Sequence, residues 1–143
     1  MAHKDAGNYS AKHSDSRLNK EVARAVESKT VGGEITCAEA SRIAGELHIH
    51  MGDVGVAIDL LEIRITKCQI GLFGYGDKKT GIEPAKTVSS ELEKAVRDAL
   101  VNGRLPCAAS WEIAERYGIP KMTVSSACEA LKIKVKPCQL GAF

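Results

Sequence analysis

An internal repeat constrains this chain more than any other feature of its sequence. Residues 18–73 align with residues 88–143 at a constant offset of 70 without a gap, and 18 of the 56 aligned positions are identical. Most of the shared residues are small or apolar, which is typical of positions that build a core. The sequence therefore predicts a duplicated domain, with repeat 1 at 18–73 and repeat 2 at 88–143.

The segments outside the repeats have the composition of connecting chain. Residues 1–17 are rich in Lys, His, Ser, Asp and Asn, so we expect a flexible N-terminal arm. Residues 74–87 are rich in Gly, Pro and Lys, which favours a linker between the repeats. The expected organisation is thus arm, repeat 1, linker and repeat 2.

Hydrophobic periodicity predicts the same elements in each repeat: helix, short strand, helix, turn, helix, strand. In repeat 2, Val124, Ala127, Cys128 and Leu131 are spaced i, i+3, i+4 and i+7, as on one face of a helix. Gly118 is placed to end the preceding helix, because glycine tolerates a positive φ. We therefore expect a mostly α-helical chain with a small amount of β-structure.

The middle of repeat 2 resembles the helix-turn-helix of bacterial DNA-binding proteins. Ala114 precedes Gly118 by four residues and Val124 follows it by six, as in that family. The run GIPKMTVSSA is similar to the turn and recognition helix of many repressors. The resemblance covers about 20 residues, and the alternative is an ordinary helical hairpin whose helices only pack together.

The added strands make each repeat resemble a winged helix, a helix-turn-helix variant with a small sheet. A full wing needs a hairpin, but each repeat offers one clear strand after its third helix. We expect residues 63–67 and 133–137 to pair with each other across a pseudo-two-fold axis, which would leave neither edge open. The resemblance implies two tandem winged-helix-like domains.

The repeats differ where the resemblance implies DNA contact. Residues 88–143 carry eight Lys or Arg and six Asp or Glu, whereas residues 18–73 carry six and eight. Repeat 2 would read the major groove and bind phosphate, and repeat 1, with His48 at the glycine position and Asp53 in the helix, is a poor DNA reader. The implied groove residues are Lys121, Met122, Thr123, Ser125 and Ser126. The implied phosphate contacts are Arg104, Arg116, Lys132, Lys134 and Lys136.

The third helix of repeat 1 is apolar nearly all round. Val56, Ile58 and Leu60 are apolar in addition to the core face, and their counterparts in repeat 2 are smaller or polar. A helix of this kind is buried nearly all round, so we expect these three residues to form an association surface. The cover is either the second repeat, giving an intramolecular pseudo-dimer, or a second chain, giving a homodimer.

Four of the five cysteines recur in the repeat. Cys37 and Cys68 correspond to Cys107 and Cys138, and four thiols are the number of ligands in a zinc or iron–sulfur site. No CxxC pair is present, and cysteine is a common small core residue. Buried thiols are therefore the favoured interpretation, a metal site is the alternative, and no cofactor is expected.

Composition and the absence of certain motifs limit the classes of function that the chain can have. Apolar residues make up 44% of the chain, and no apolar run is long enough to cross a membrane. The first residues lack the apolar centre of a signal peptide, which predicts a cytoplasmic protein. No nucleophile pattern, phosphate loop or repeated carboxylate pair indicates an enzyme. We expect a DNA-binding transcriptional regulator, and the alternative is a protein-interaction module that retains the fold without binding DNA.

Overall fold

The computed structural model describes residues 18–76 and 82–142, so the expected arm at 1–17 lies outside the described residues. Those residues form six α-helices and one two-stranded β-sheet, which confirms a mostly helical chain with little β-structure. The elements are α1 Lys20–Lys29, β1 Glu34–Thr36, α2 Cys37–Leu47, α3 Met51–Leu60, β2 Arg64–Thr66, α4 Ser90–Asp98, α5 Cys107–Tyr117 and α6 Lys121–Ala130. Among the described residues, no helix has the length and apolar character of a bilayer span.

The chain folds into two compact units whose limits differ from those of the sequence repeats. Unit 1 contains residues 18–68 together with 139–142, and unit 2 contains Gln69–Cys138. Each repeat ends in the motif CQxGxF, and in each case the part that follows the cysteine belongs to the other unit. We call residues 69–73 and 139–142 the exchanged segments.

Local side-chain hydrogen bonds start the first two helices of unit 1. The Asn19 side chain accepts hydrogen bonds from the first turn of α1, which buries Val22, Ala23 and Val26. Helical periodicity would place Leu18 inward as well, but it precedes this cap and is exposed. The Thr36 hydroxyl accepts from the Glu39 backbone N–H at 3.1 Å, so Thr36 caps α2, as expected for a Thr just before a helix.

Strand pairing occurs within each unit, as a two-stranded sheet in unit 1 and as a single bridge in unit 2. β1 and β2 are parallel, with Ile35 opposite Ile65, and the equivalent residues Leu105 and Val135 form a parallel bridge in unit 2. The expected pairing of 63–67 with 133–137 is therefore wrong. The reason is that the strand before the second helix of each repeat already supplies the ladder partner.

Candidate nucleic-acid interface

Unit 2 presents α5 and α6 around a three-residue turn. Gly118 ends α5 with φ 62°, a left-handed conformation that favours glycine, and the Ile119 backbone N–H donates to the Ala114 carbonyl at 3.0 Å. Ile113 and Val124 are almost fully buried in the core behind this turn. That core also contains Ala95, Val96, Leu105, Ala114 and Cys128. Packing behind α6 leaves its other side facing outward.

The outward side of α6 is short and mostly uncharged. Thr123 is exposed, and Met122 and Ser126 are partly exposed, as the sequence predicts. Ala130 and Glu129 are exposed toward the end of the helix. The acidic Glu129 makes the C-terminal half of this helix less favourable for phosphate than the first turn.

Ser125 does not belong to this outward side. The residue is fully buried, and its hydroxyl lies 3.5 Å from the Lys121 carbonyl oxygen one turn earlier. The expectation that Ser125 contacts DNA is therefore wrong, since its polarity is accommodated inside the unit by the helix backbone. Sequence polarity alone gave no sign of this burial.

Lys121 lies at the start of α6, above an aromatic ring. Its Nζ is 4.6 Å from the centroid of the Trp111 ring on α5, within the range of a cation–π interaction. Pro120 occupies the N-cap position and supplies no side-chain hydrogen bond, so no N-cap side chain satisfies the first backbone N–H groups of α6. The first turn also contains no acidic residue. Negative charge is favoured at such a helix start.

Further cations lie before α5, at the end of α5 and after α6. Arg116 is exposed and lies 5.5 Å from the centroid of the Tyr117 ring. Arg104, Lys132, Lys134 and Lys136 are exposed as well. Within the part of the chain that the structure describes, the ion pairs involve other residues, so none of these five cations forms an ion pair with a described Asp or Glu.

The linker reaches the outward side of α6. The Ala85 backbone N–H donates to the Ser126 carbonyl at 3.0 Å, and Ile82, Ala85 and Val88 are partly buried. Part of the helix surface is therefore occupied by the protein's own chain. Sequence composition predicts a linker here but contains no signal for this contact.

Unit 1 has the same turn between its second and third helices, but the residues at the start of the third helix differ in charge. His48 adopts φ 56° at the position of Gly118, and the Ile49 N–H donates to the Ala44 carbonyl at 3.0 Å. The exposed residues at the start of α3 are Gly52 and Asp53. This helix start is acidic and its first turn carries no Lys or Arg, which makes it unsuitable for phosphate.

The expected association surface on α3 is covered inside unit 1 at one of its three residues. Ile58 is fully buried within this unit, which includes residues 139–142 of repeat 2, so a second chain is not needed to cover it. Val56 and Leu60 remain partly exposed. A Cβ atom added at Gly55 would overlap the Leu140 carbonyl oxygen and lie 2.7 Å from its carbonyl carbon. The exchanged segment 139–142 thus lies directly against the backbone of α3.

All five cysteines are buried thiols, and none of them forms a disulfide. Over residues 18–76 and 82–142, no group of three or more His, Cys, Asp or Glu side chains is arranged to hold a metal ion. The geometry therefore offers no support for the metal alternative at Cys37, Cys68, Cys107 and Cys138.

No protein-family model matches the chain, and searches of curated proteins and of solved structures gave no match.

Proposed function

We propose that this protein is a cytoplasmic, sequence-specific DNA-binding regulator built from two tandem winged-helix-like repeats, and that unit 2 reads the DNA. The single observation that carries the proposal is the start of α6. Its first turn combines Lys121, Met122 and Thr123 with an uncapped N-terminus and no acidic residue. This combination suits a helix whose N-terminal residues enter the major groove.

The flanking cations give the proposed interface its affinity. Arg104, Arg116, Lys132, Lys134 and Lys136 are exposed and have no ion-pair partner among the described residues, so each can release a counterion by binding a phosphate. Thr123 and Ser126 supply hydroxyls, and Lys121 supplies a cation, for contacts to base edges or to the backbone. The protein acts by binding and needs no catalytic group for this role.

We expect changes in the first turn of α6 to weaken DNA binding. Replacing Lys121 and Thr123 with Ala should cost about 1–3 kcal/mol for each good base interaction that the substitution removes. The matched control replaces Met51 and Asp53, the equivalent residues of α3, with Ala. This change should leave the affinity for DNA unchanged. Fluorescence anisotropy with a genomic DNA pool at two salt concentrations measures both variants. A greater weakening by the control would assign the reading role to repeat 1.

The single tryptophan provides a second readout for the same experiment. Lys121 lies over Trp111 in the free protein, so a Lys121 that turns to DNA must leave the ring. We expect DNA to change Trp111 emission in the wild-type protein and to change it much less in Lys121→Ala. A salt-dependent complex with unchanged emission would place Lys121 outside the contact.

The second candidate function is a protein-interaction module that kept the fold without binding DNA. The linker favours it, because the Ala85 N–H already hydrogen-bonds to the Ser126 carbonyl on the outward side of α6. A surface that accepts one polypeptide segment is suited to accept another. An absence of salt-dependent DNA binding by the wild-type protein would favour this function.

Releasing the linker should strengthen DNA binding if both occupy the outward side of α6. Ala85→Pro removes the N–H that bonds to Ser126, and a typical hydrogen bond contributes about 0.5–1.5 kcal/mol. We expect DNA affinity to rise roughly two- to tenfold, as that range of free energy implies. Ala85→Ser keeps the N–H and is the control. Faster trypsin cleavage at Lys86 with unchanged affinity would show that the linker lies outside the DNA contact.

A further inference from the structure

The small parallel ladder of unit 2 brings two cysteines of repeat 2 together. Cys107 is the first residue of α5, and Cys138 follows the strand-like segment near Val135. The Cys107 backbone N–H donates to the Pro137 carbonyl at 3.0 Å, and Leu105 pairs with Val135 just before it. Cys107 and Cys138 are therefore neighbours across one parallel ladder.

Both side chains of this pair are buried. Cys107 is 5% exposed and Cys138 is 9% exposed. Neighbouring strands lie about 4.7–4.9 Å apart. A disulfide bridges Cα atoms about 4.4–6.8 Å apart, so residues joined across such a ladder by a backbone hydrogen bond, as Cys107 is to Pro137, lie at a suitable separation.

Repeat 1 has the same arrangement. Thr36 pairs with Thr66 in the β1–β2 ladder, Cys37 follows Thr36, and Cys68 lies two residues beyond Thr66. The register of Ile35 opposite Ile65 is equivalent to that of Leu105 opposite Val135. Cys37 and Cys68 are buried as well. The same ladder therefore brings the equivalent two cysteines near each other in both repeats.

We propose that Cys107 with Cys138, and Cys37 with Cys68, are two dithiol sites that form disulfides within each repeat by exchange with a small-molecule disulfide such as oxidised glutathione. One protein thiolate attacks the small disulfide, forms a mixed disulfide and releases the first glutathione thiolate. The second protein thiol loses its proton and displaces the second glutathione thiolate. The protein loses two electrons and two protons, and the small disulfide becomes two thiols.

The remaining thiol, Cys128, differs from these four in its pKa and in having no counterpart in the other repeat. Cys138 is the most exposed of the five cysteines, so it is the attacking thiol of its pair. Cys128 is 1% exposed, has no counterpart in repeat 1, and burial raises the pKa of its thiol to about 11. Only the thiolate attacks a disulfide, so Cys128 serves as the internal control.

Oxidation of the folded protein tests the proposal. Reduced protein is incubated with oxidised glutathione, and its thiols are then counted in denaturant and its links mapped by mass spectrometry of peptides. We expect four of the five thiols to be consumed in two links, Cys37–Cys68 and Cys107–Cys138, and Cys128 to stay reduced. Full retention of all five thiols, or links between the repeats or between chains, would overturn the proposal.

A trivalent arsenical tests proximity without any oxidation. Phenylarsine oxide is retained where two thiols lie close together, so we expect two equivalents per wild-type chain. Cys138→Ser should reduce this to one equivalent, and Cys128→Ser should leave two. Circular dichroism confirms that each variant is folded, and binding unaffected by Cys138→Ser would contradict the pairing. Because neither experiment uses DNA, their outcome is independent of the proposed DNA binding.

Discussion

Replacing Ile58 with Lys is expected to unfold the protein. Ile58 is fully buried in unit 1, so the variant would place an ammonium group in an apolar core. Destabilisation above about 4–5 kcal/mol is typical of unpaired charges in a core. This is a large part of the roughly 5–15 kcal/mol by which domains are stable. Urea denaturation followed by circular dichroism measures the change.

Leu60→Lys is the matched control on the same helix, because Leu60 is partly exposed and its lysine can reach water. We expect this variant to stay folded. It also tests the homodimer, one of the two alternatives that the sequence offers, whose surface would include Val56 and Leu60. If light scattering finds a wild-type dimer and a Leu60→Lys monomer, the association surface is supported. A wild-type monomer would favour the pseudo-dimer, and a well-folded Ile58→Lys protein would contradict the burial of Ile58.

Replacing each of two glycines in α3 with alanine should change the free energy of unfolding in opposite directions. At Gly55 the added methyl group would meet the backbone carbonyl of Leu140, which cannot turn away as a flexible side chain does. Overpacking of this kind costs about 1–3 kcal/mol. At Gly52 nothing lies within 4 Å of the added methyl group, so the helix should gain roughly 0.5–1 kcal/mol from the reduced flexibility of the unfolded chain.

Thermal unfolding of the two variants measures this difference directly. Both substitutions change the same residue type on the same helix, so helix propensity cancels in the comparison. We expect Gly52→Ala to melt above the wild-type protein and Gly55→Ala to melt below it. Equal stabilisation by both would mean that residues 139–142 do not lie against α3.

Local sequence signals predicted the elements that depend on neighbours in the chain. The Thr36 cap, the end of α5 at Gly118 and the buried face with Val124 are each set within a few residues, by hydrogen bonding, φ or helical spacing. These signals also identified Thr123 as an exposed residue of α6. The start of the candidate interface could therefore be predicted from sequence.

Features set by distant residues could not be predicted in this way. Ser125 is hydrophilic, but packing buries it at the position that Gly55 occupies in repeat 1. The approach of Ala85 to Ser126 depends on where the linker folds back, which composition does not specify. The exchanged segments could not be predicted because both have the same motif, CQxGxF. The sequence therefore does not show which unit each segment packs in.

The exchange of segments sets an order for biosynthesis. Unit 1 includes residues 139–142, which a ribosome adds only after it has made all of Gln69–Cys138. At about 5–20 residues per second, those 70 residues take roughly 4–14 seconds. During that interval the Leu140 backbone that lies against Gly55 of α3 has not yet been made. The part of the protein that is translated first is therefore the part whose folding is completed last.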